Sequence, residues 1–194
     1  HGKAMYWNFT GHKPPQSDTA ANLPPSSSDW PSLLSVISKF KSAPPGLPSS
    51  IRIPYPLVDN GTLQAGEYGG WLGSSYNPIV IRTPKGKEFG GVSRDLGASR
   101  IDPKEAIDRK VLSSRLGLLG HLDQFQGIGN SVTDMDYFRN LATDMLMSPN
   151  VRNAFDLDLE SQATKDKFGN HICGQSMLLA RRLVQAEVPI VTVA

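Results

Sequence analysis

Asn170-His171-Ile172-Cys173-Gly174-Gln175-Ser176-Met177-Leu178-Leu179-Ala180-Arg181-Arg182-Leu183-Val184-Gln185-Ala186-Glu187-Val188-Pro189-Ile190-Val191-Thr192-Val193-Ala194 is the stretch that decides the class of this chain. Its first part has helical spacing: Ile172, Leu179 and Leu183 share a face, flanked by Met177, Ala180 and Val184. Arg181 and Arg182 stand toward its C-terminal end, where cations suit the helix dipole. Pro189 breaks the period, and Ile190-Val191-Thr192-Val193 is a β-branched run of the kind expected in a buried parallel strand. A helix feeding such a strand is half of an α/β unit. In open α/β sheets, ligands collect beyond the carboxyl ends of the strands, and here that loop would begin at Ala194. The expectation is an incomplete single domain over residues 1–194, with much of its chemistry outside it.

Upstream, residues 2–9 read as a short apolar helix ending near Thr10-Gly11, with Gly11 as C-cap and Pro14-Pro15 beyond. Residues 14–29, rich in Pro, Ser and Asn, read as a loop. Asp29 before Trp30-Pro31 is a credible N-cap, and Leu33, Val36, Ile37 and Phe40 give residues 31–41 an apolar helical stripe. Ten glycines and seven prolines then fall within residues 43–100, which marks a loop or cap insertion of the kind that is often functional. Inside it, Ser50-Ile51-Arg52-Ile53 and Pro78-Ile79-Val80-Ile81-Arg82 look like short strands. The helical period returns from about residue 103, where Asp102-Pro103 is a start signal and Ile107, Val111, Leu118, Leu122 and Phe125 keep one face. Met135, Phe138, Ala142 and Met145 mark another helix capped near Thr133 or Asp134, and Ser148-Pro149 opens a short one after it. Residues 101–194 are thus helices leading to a core strand.

The chain is 39% hydrophobic and 20% charged, with a net charge of +2. So small a charge, with its cations scattered, argues against a nucleic-acid partner, and no apolar stretch approaches a membrane span. One cysteine excludes an internal disulfide and any cysteine-based metal cluster. Cys173 has no basic neighbour in sequence to lower its pKa and reads as a packed thiol. No two of the four histidines have the i, i+4 spacing of a helical metal pair. His121 reads as a solvated helix-face residue and His171 as a residue near a helix N-terminus. Gly69-Gly70-Trp71-Leu72-Gly73 lacks the strand-to-helix context of a phosphate loop, and Asp156, Asp158 and Glu160 read as a solvated face.

Several segments together carry a resemblance. His1-Gly2-Lys3-Ala4-Met5-Tyr6-Trp7-Asn8-Phe9-Thr10-Gly11-His12-Lys13-Pro14-Pro15 resembles the opening block of a large bacterial family, the domain-of-unknown-function 1501 family. Pro31 to Lys39, Gly66 to Pro78, Asn153 to Leu157 and Gly174 to Val193 resemble it in the same order. The resemblance implies a sulfatase-like member of the alkaline-phosphatase superfamily. The fold expected from it is a three-layer α/β/α arrangement, helix-rich with a Gly/Pro-rich loop insertion, of which this chain is an internal fragment. It implies a metal-dependent hydrolase of phosphate or sulfate esters, or alternatively a non-catalytic binding or surface protein that retains the fold. A divalent metal (Zn, Ca or Mg) would be held mainly by Asp and His motifs that flank the equivalent of this chain. Sulfatases place a Thr-Gly pair at a fixed spacing after their nucleophile, and nine residues before Thr10 stands His1. His1 is therefore the candidate catalytic residue at a helix N-terminus, where anions are favoured, or alternatively a metal ligand. A His stands there in place of the usual Cys, Ser or Thr. His12 is carried as a second catalytic candidate. The implied partner is a small-molecule or glycan ester, and the implied location is extracytoplasmic, periplasmic or secreted.

Overall fold

Caps and breakers set the element boundaries in the computed structural model, which describes residues 2–15, 23–59, 61–82 and 133–193 and the single position 114. Helix α1 spans Gly2–Thr10 and stops at Gly11, whose φ of +72° suits glycine and whose N–H bonds to the Trp7 carbonyl at 2.8 Å. Helix α2 spans Leu33–Phe40. Its N-cap is Ser32, which accepts from the Ser35 N–H at 3.2 Å, and not Asp29 as the sequence suggested. Asp29 instead caps its own turn, accepting from the Ser26 N–H at 2.7 Å.

Strands β1 (Ser50–Ile53) and β4 (Ile79–Val80) fall where the β-like pieces predict them. A two-stranded antiparallel hairpin, β2 (Val58–Asp59) and β3 (Thr62–Leu63), lies between. Helices α3 (Thr133–Met147) and α4 (Pro149–Phe155) follow, the second capped by the Ser148 hydroxyl with Pro149 in its first turn. Helix α5 spans Gln162–Phe168, and α6 spans Ile172–Gln185. The closing strand β5 (Ile190–Val193) pairs parallel with β1, in the register Ser50 to Ile190 through Ile53 to Val193. On its other side β1 pairs parallel with β4, so the sheet order is β4-β1-β5. The described residues thus form a mixed α/β structure of six α-helices and a small parallel sheet. The helix expected from residue 103, with His121 on it, lies outside the described residues, as does His1.

The core follows from strand alternation. Ile51 and Ile53 leave one face of β1 and pack with Val151 and Phe155 of α4 and with Leu179 and Leu183 of α6, all of them buried. Each such side chain taken fully from water contributes roughly 1.5–3 kcal/mol. A second, smaller cluster joins Tyr6, Leu23 and Ala65.

Three sequence expectations change here. β5 is parallel but only half-buried along its length, because among the described residues it has one strand neighbour. On α6 the inner face is Ser176, Leu179 and Leu183 with Ile172 beside them, so Met177 and Val184 point outward and Cys173 is exposed rather than packed. On α2, Leu34 and Ser35 are the buried residues, whereas Leu33 and Phe40, seven apart, face outward. The apolar stripe read from the sequence is therefore not the core face of that helix.

Two links between α4, α5 and α6 explain motif residues of the last block. A Cβ built at Gly174 would stand 2.0 Å from the Phe168 carbonyl oxygen and 2.5 Å from that of Gly169, so only glycine lets α5 approach α6 this closely. Arg182 donates from Nη1 to Glu160 at 2.7 Å, from Nε to the Ala154 carbonyl at 3.2 Å and from Nη2 to the Asn153 carbonyl. It thereby closes the C-terminal end of α4. Glu160 is accordingly a half-buried partner and not a member of a solvated face, while Asp158 is solvent-exposed beside Lys165.

Candidate functional site

The carboxyl end of β1 holds an ion pair that the sequence does not announce. Arg52, the third strand residue, points away from the Ile51 and Ile53 face and is 3% exposed. Its Nη1 pairs with Glu67 Oε1, its Nε donates to the Tyr55 carbonyl at 3.1 Å, and its guanidinium lies 5.9 Å from the centre of the Phe9 ring on α1. The second Glu67 oxygen accepts from the Leu57 N–H at 2.8 Å. The pair thus ties β1, the turn after it and the Gly66–Glu67 backbone into one unit. Tyr6 of α1 lies against that backbone: a Cβ at Gly66 would come within 2.9 Å of the Tyr6 Cα.

Burial dominates the acid–base character of this cluster. It pushes the Glu67 carboxyl up, and the Arg52 charge and the Leu57 N–H pull it partly back. Tyr68 is pushed up to about 12, first by burial and then by the Glu67 charge, with Arg82 and Arg52 acting in the other direction. Asp29 is also raised by burial, against hydrogen bonds from the Ser26 N–H and the Tyr6 hydroxyl. Tyr6, buried and held at its hydroxyl by the Trp30 N–H at 2.8 Å, is raised for the same leading reason.

The Tyr6 bond to Trp30 leads to the second part of the site. The His12 imidazole stacks on Trp30, with centroids 3.8 Å apart and planes 11° from parallel. Trp71 meets Trp30 edge-on at 6.1 Å and 77°. A cavity of about 280 Å³ opens there, lined by Thr10, His12, Trp30, Lys39, Phe40 and Trp71 among others, with the Lys39 Nζ 6.0 Å from the centre of the Tyr76 ring. From α2, Val36 and Phe40 line this slot, and Phe40 is 81% and Trp71 57% exposed. Gly70 makes the slot possible. It has a φ of +51°, and a Cβ there would meet the Asp29 carbonyl oxygen at 2.1 Å, so glycine lets the Trp71 turn close on the Asp29–Trp30 backbone.

Of the two sequence candidates, His12 lies in this slot, and among the described residues no carboxylate hydrogen-bonds to its ring. His1 lies outside the described residues, directly before α1 in the chain. Among the described residues no three His, Cys, Asp or Glu side chains converge into a metal donor set. His171 caps α6, accepting from the Gly174 N–H at 3.1 Å. The exposed Cys173 follows one residue inside that helix. Sequence reading missed the Arg52–Glu67 pair and the Trp30–Trp71 corner. The one available signal was three tryptophans in a chain whose Trp30 and Trp71 both adjoin turn-forming Pro or Gly residues.

The described chain is therefore an α/β protein whose parallel sheet carries a buried ion pair at its carboxyl end and an open aromatic slot beside it. It belongs to the family described as protein of unknown function (DUF1501), whose model matches residues 1–194. The chain matches no curated protein and no solved structure. No described helix is long and apolar enough to cross a membrane.

Proposed function

We propose that the protein is a hydrolase of phosphate or sulfate esters, built on a sulfatase-like fold of the alkaline-phosphatase type and acting outside the cytoplasm. The observation that carries the reading is the position of α1. The helix that follows His1 packs against the residues beyond the carboxyl end of β1, the side on which open α/β sheets bind ligands. The family whose model matches residues 1–194 has no assigned activity, so the sulfatase likeness rests on the sequence alone, on the Thr10-Gly11 pair nine residues after His1. The described residues do not by themselves fit the divalent metal that this resemblance implies, and none of them is assigned to it. They are assigned binding and positioning: Arg52 and Glu67 fix the turn after β1, and the slot at His12, Trp30 and Trp71 receives the organic part of the ester. His1 is the proposed catalytic or ligating residue on sequence grounds, and the Gly- and Pro-rich span 43–100 supplies substrate contacts through Trp71.

The test is turnover of p-nitrophenyl phosphate and p-nitrophenyl sulfate by the full-length protein, supplied with Zn, Ca or Mg in turn, against His1→Ala. Loss of turnover by about two orders of magnitude or more is expected for removal of a group acting on the reacting centre. Equal rates in the two proteins would remove His1 from the site. A second reading, a binding protein that keeps the fold without catalysis, is favoured by one observation. The buried ionisable groups at the site are paired with each other, Arg52 with Glu67 and Tyr6 with Asp29, and so leave the exposed aromatic slot as its principal open feature. Turnover of either ester at enzymatic rates would dispose of it.

A further inference from the structure

We infer that the aromatic corner at Trp30 and Trp71 belongs to a larger patch that seats the protein on the surface of an anionic lipid bilayer; the inference rests on the patch and not on the proposed hydrolysis. All three tryptophans of the chain, Trp7, Trp30 and Trp71, lie in it with Leu33 and Phe40, and each of the five is 40% or more exposed. They run on from one another. Trp71 meets Trp30 edge-on, His12 stacks on Trp30, and the next residue, Lys13, has its Nζ 5.9 Å from the centre of the Trp7 ring. Phe40 shares the slot with Trp30 and Trp71, and Leu33 stands two turns before it on α2. A single exposed apolar side chain is ordinary, whereas five large ones gathered from two helices and two turns mark a surface that something covers.

The charges around the patch say what covers it. Lys3 stands one turn from Trp7 on α1, Lys13 follows that helix, and Lys39 and Lys41 flank Phe40. The segments that build the patch, residues 2–15, 23–41 and 69–73, hold no arginine, and their one acid, Asp29, is buried. Over residues 133–193 the acids outnumber the bases, so the small net charge of the chain is unevenly placed and the patch carries the positive share. Tryptophan and phenylalanine together with lysine is the composition of segments that lie in a lipid headgroup region. The rings take the boundary between acyl chains and headgroups, and the lysines reach out to anionic phosphates. A protein partner would favour a different set, because protein interfaces are enriched in arginine and depleted of lysine. The slot opens within the patch, so under the proposed hydrolase reading the organic part that it receives is that of a lipid.

The experiment is flotation of the full-length protein with vesicles of phosphatidylcholine alone and of equal parts phosphatidylcholine and phosphatidylglycerol, with tryptophan emission recorded against brominated lipid. Saturable partition onto the mixed vesicles is expected, with blue-shifted emission that the bromine quenches, and weaker partition onto the neutral ones. Phe40→Ala and Trp7→Ala remove side chains that are half or more in solvent, so both should keep the circular dichroism of the parent, and each should weaken partition about tenfold. Lys13→Gln and Lys41→Gln should each lose about fivefold on the mixed vesicles and little on the neutral ones. Met177→Ala, which trims an exposed apolar side chain of α6 outside the patch, should bind as the parent does. No partition onto the mixed vesicles, equal partition of the parent and Phe40→Ala, or an equal loss in Met177→Ala overturns the inference. So does a dimer in solution that Phe40→Ala abolishes, because a second copy would then cover the patch. The two proposals fail separately: vesicle binding without ester turnover defeats the hydrolase and keeps the patch, and turnover of soluble esters without vesicle binding does the reverse.

Discussion

Replacing Arg52 by Met tests the ion pair at the end of β1, and its consequence depends on pH in a way the geometry fixes. Arg52 and Glu67 have side chains 4% and 2% exposed, so solvent screens their attraction very little. Without Arg52 the Glu67 carboxylate keeps one hydrogen bond, from the Leu57 N–H, and the Tyr55 carbonyl loses its donor. Removing one member of a buried pair costs about 3–5 kcal/mol, a large part of the roughly 5–15 kcal/mol that holds a domain folded. The sign of the pH effect follows from Glu67. Its carboxyl already lies above the ordinary value of 4.5 because of burial, and Arg52 is the charge that pulls it back. In Arg52→Met it rises further. A carboxyl raised on folding contributes stability that is fully present below its unfolded pKa and is lost as pH climbs through its folded one. The deficit of Arg52→Met should therefore be smallest near pH 4, where Glu67 takes up a proton, and should grow toward pH 7. Urea unfolding at the two pH values, with Arg52→Met, Glu67→Leu and the double variant, measures this. The double variant should recover a large part of the loss, leaving about 1–3 kcal/mol for the orphaned Leu57 N–H and Tyr55 carbonyl. A deficit that is equal at pH 4 and pH 7, or single losses that simply add in the double variant, would refute the reasoning.

Three further outcomes are expected. Gly174→Ala should destabilise the protein by about 1–3 kcal/mol in thermal or urea unfolding, because the added methyl meets two backbone carbonyls rather than a flexible side chain. Arg182→Ala should cost about 2–4 kcal/mol through the lost bonds to Glu160 and the end of α4, while Arg181→Ala, whose contact to Glu160 is a longer 3.6 Å and whose side chain is 42% exposed, should cost about 0.5 kcal/mol or less. Cys173 should react with a thiol reagent in the native protein without prior unfolding; a reaction that waits for denaturant would mean that the thiol is packed after all.

The last block was legible in the sequence because its signals are local. Helical spacing, a proline and a β-branched run gave α6 and β5 and the parallel character of β5, while its partner β1 came from the structure. Gly11 and Ser148-Pro149 marked helix ends for the same reason. What the sequence could not show depends on partners distant in the chain. Arg52 and Glu67 are ordinary surface residues until β1 and the Gly66 turn meet. The stripe of Leu33, Val36, Ile37 and Phe40 has the right period for a core face, and period alone does not say that Val36 and Phe40 would line an open slot instead. Cys173 faces outward on a helix whose inner face includes the buried Ser176, its hydroxyl satisfied by the Ile172 carbonyl at 2.6 Å. A hydroxyl bonded within its own helix can occupy the inner face, which a count of apolar residues overlooks. Asp29 had the sequence position of a helix cap but found a nearer use in its own turn and in Tyr6.

The most direct test of the proposed function is ester turnover by the full-length protein. Phosphate and sulfate ester substrates, including a sulfated tetrasaccharide, are incubated with metal-supplied protein, with the same protein after chelation, and with His1→Ala. The account expects saturable turnover of at least one ester that chelation abolishes and His1→Ala lowers by about a hundredfold or more. Turnover of none of the esters with Zn, Ca or Mg, or turnover unchanged in His1→Ala, would contradict it.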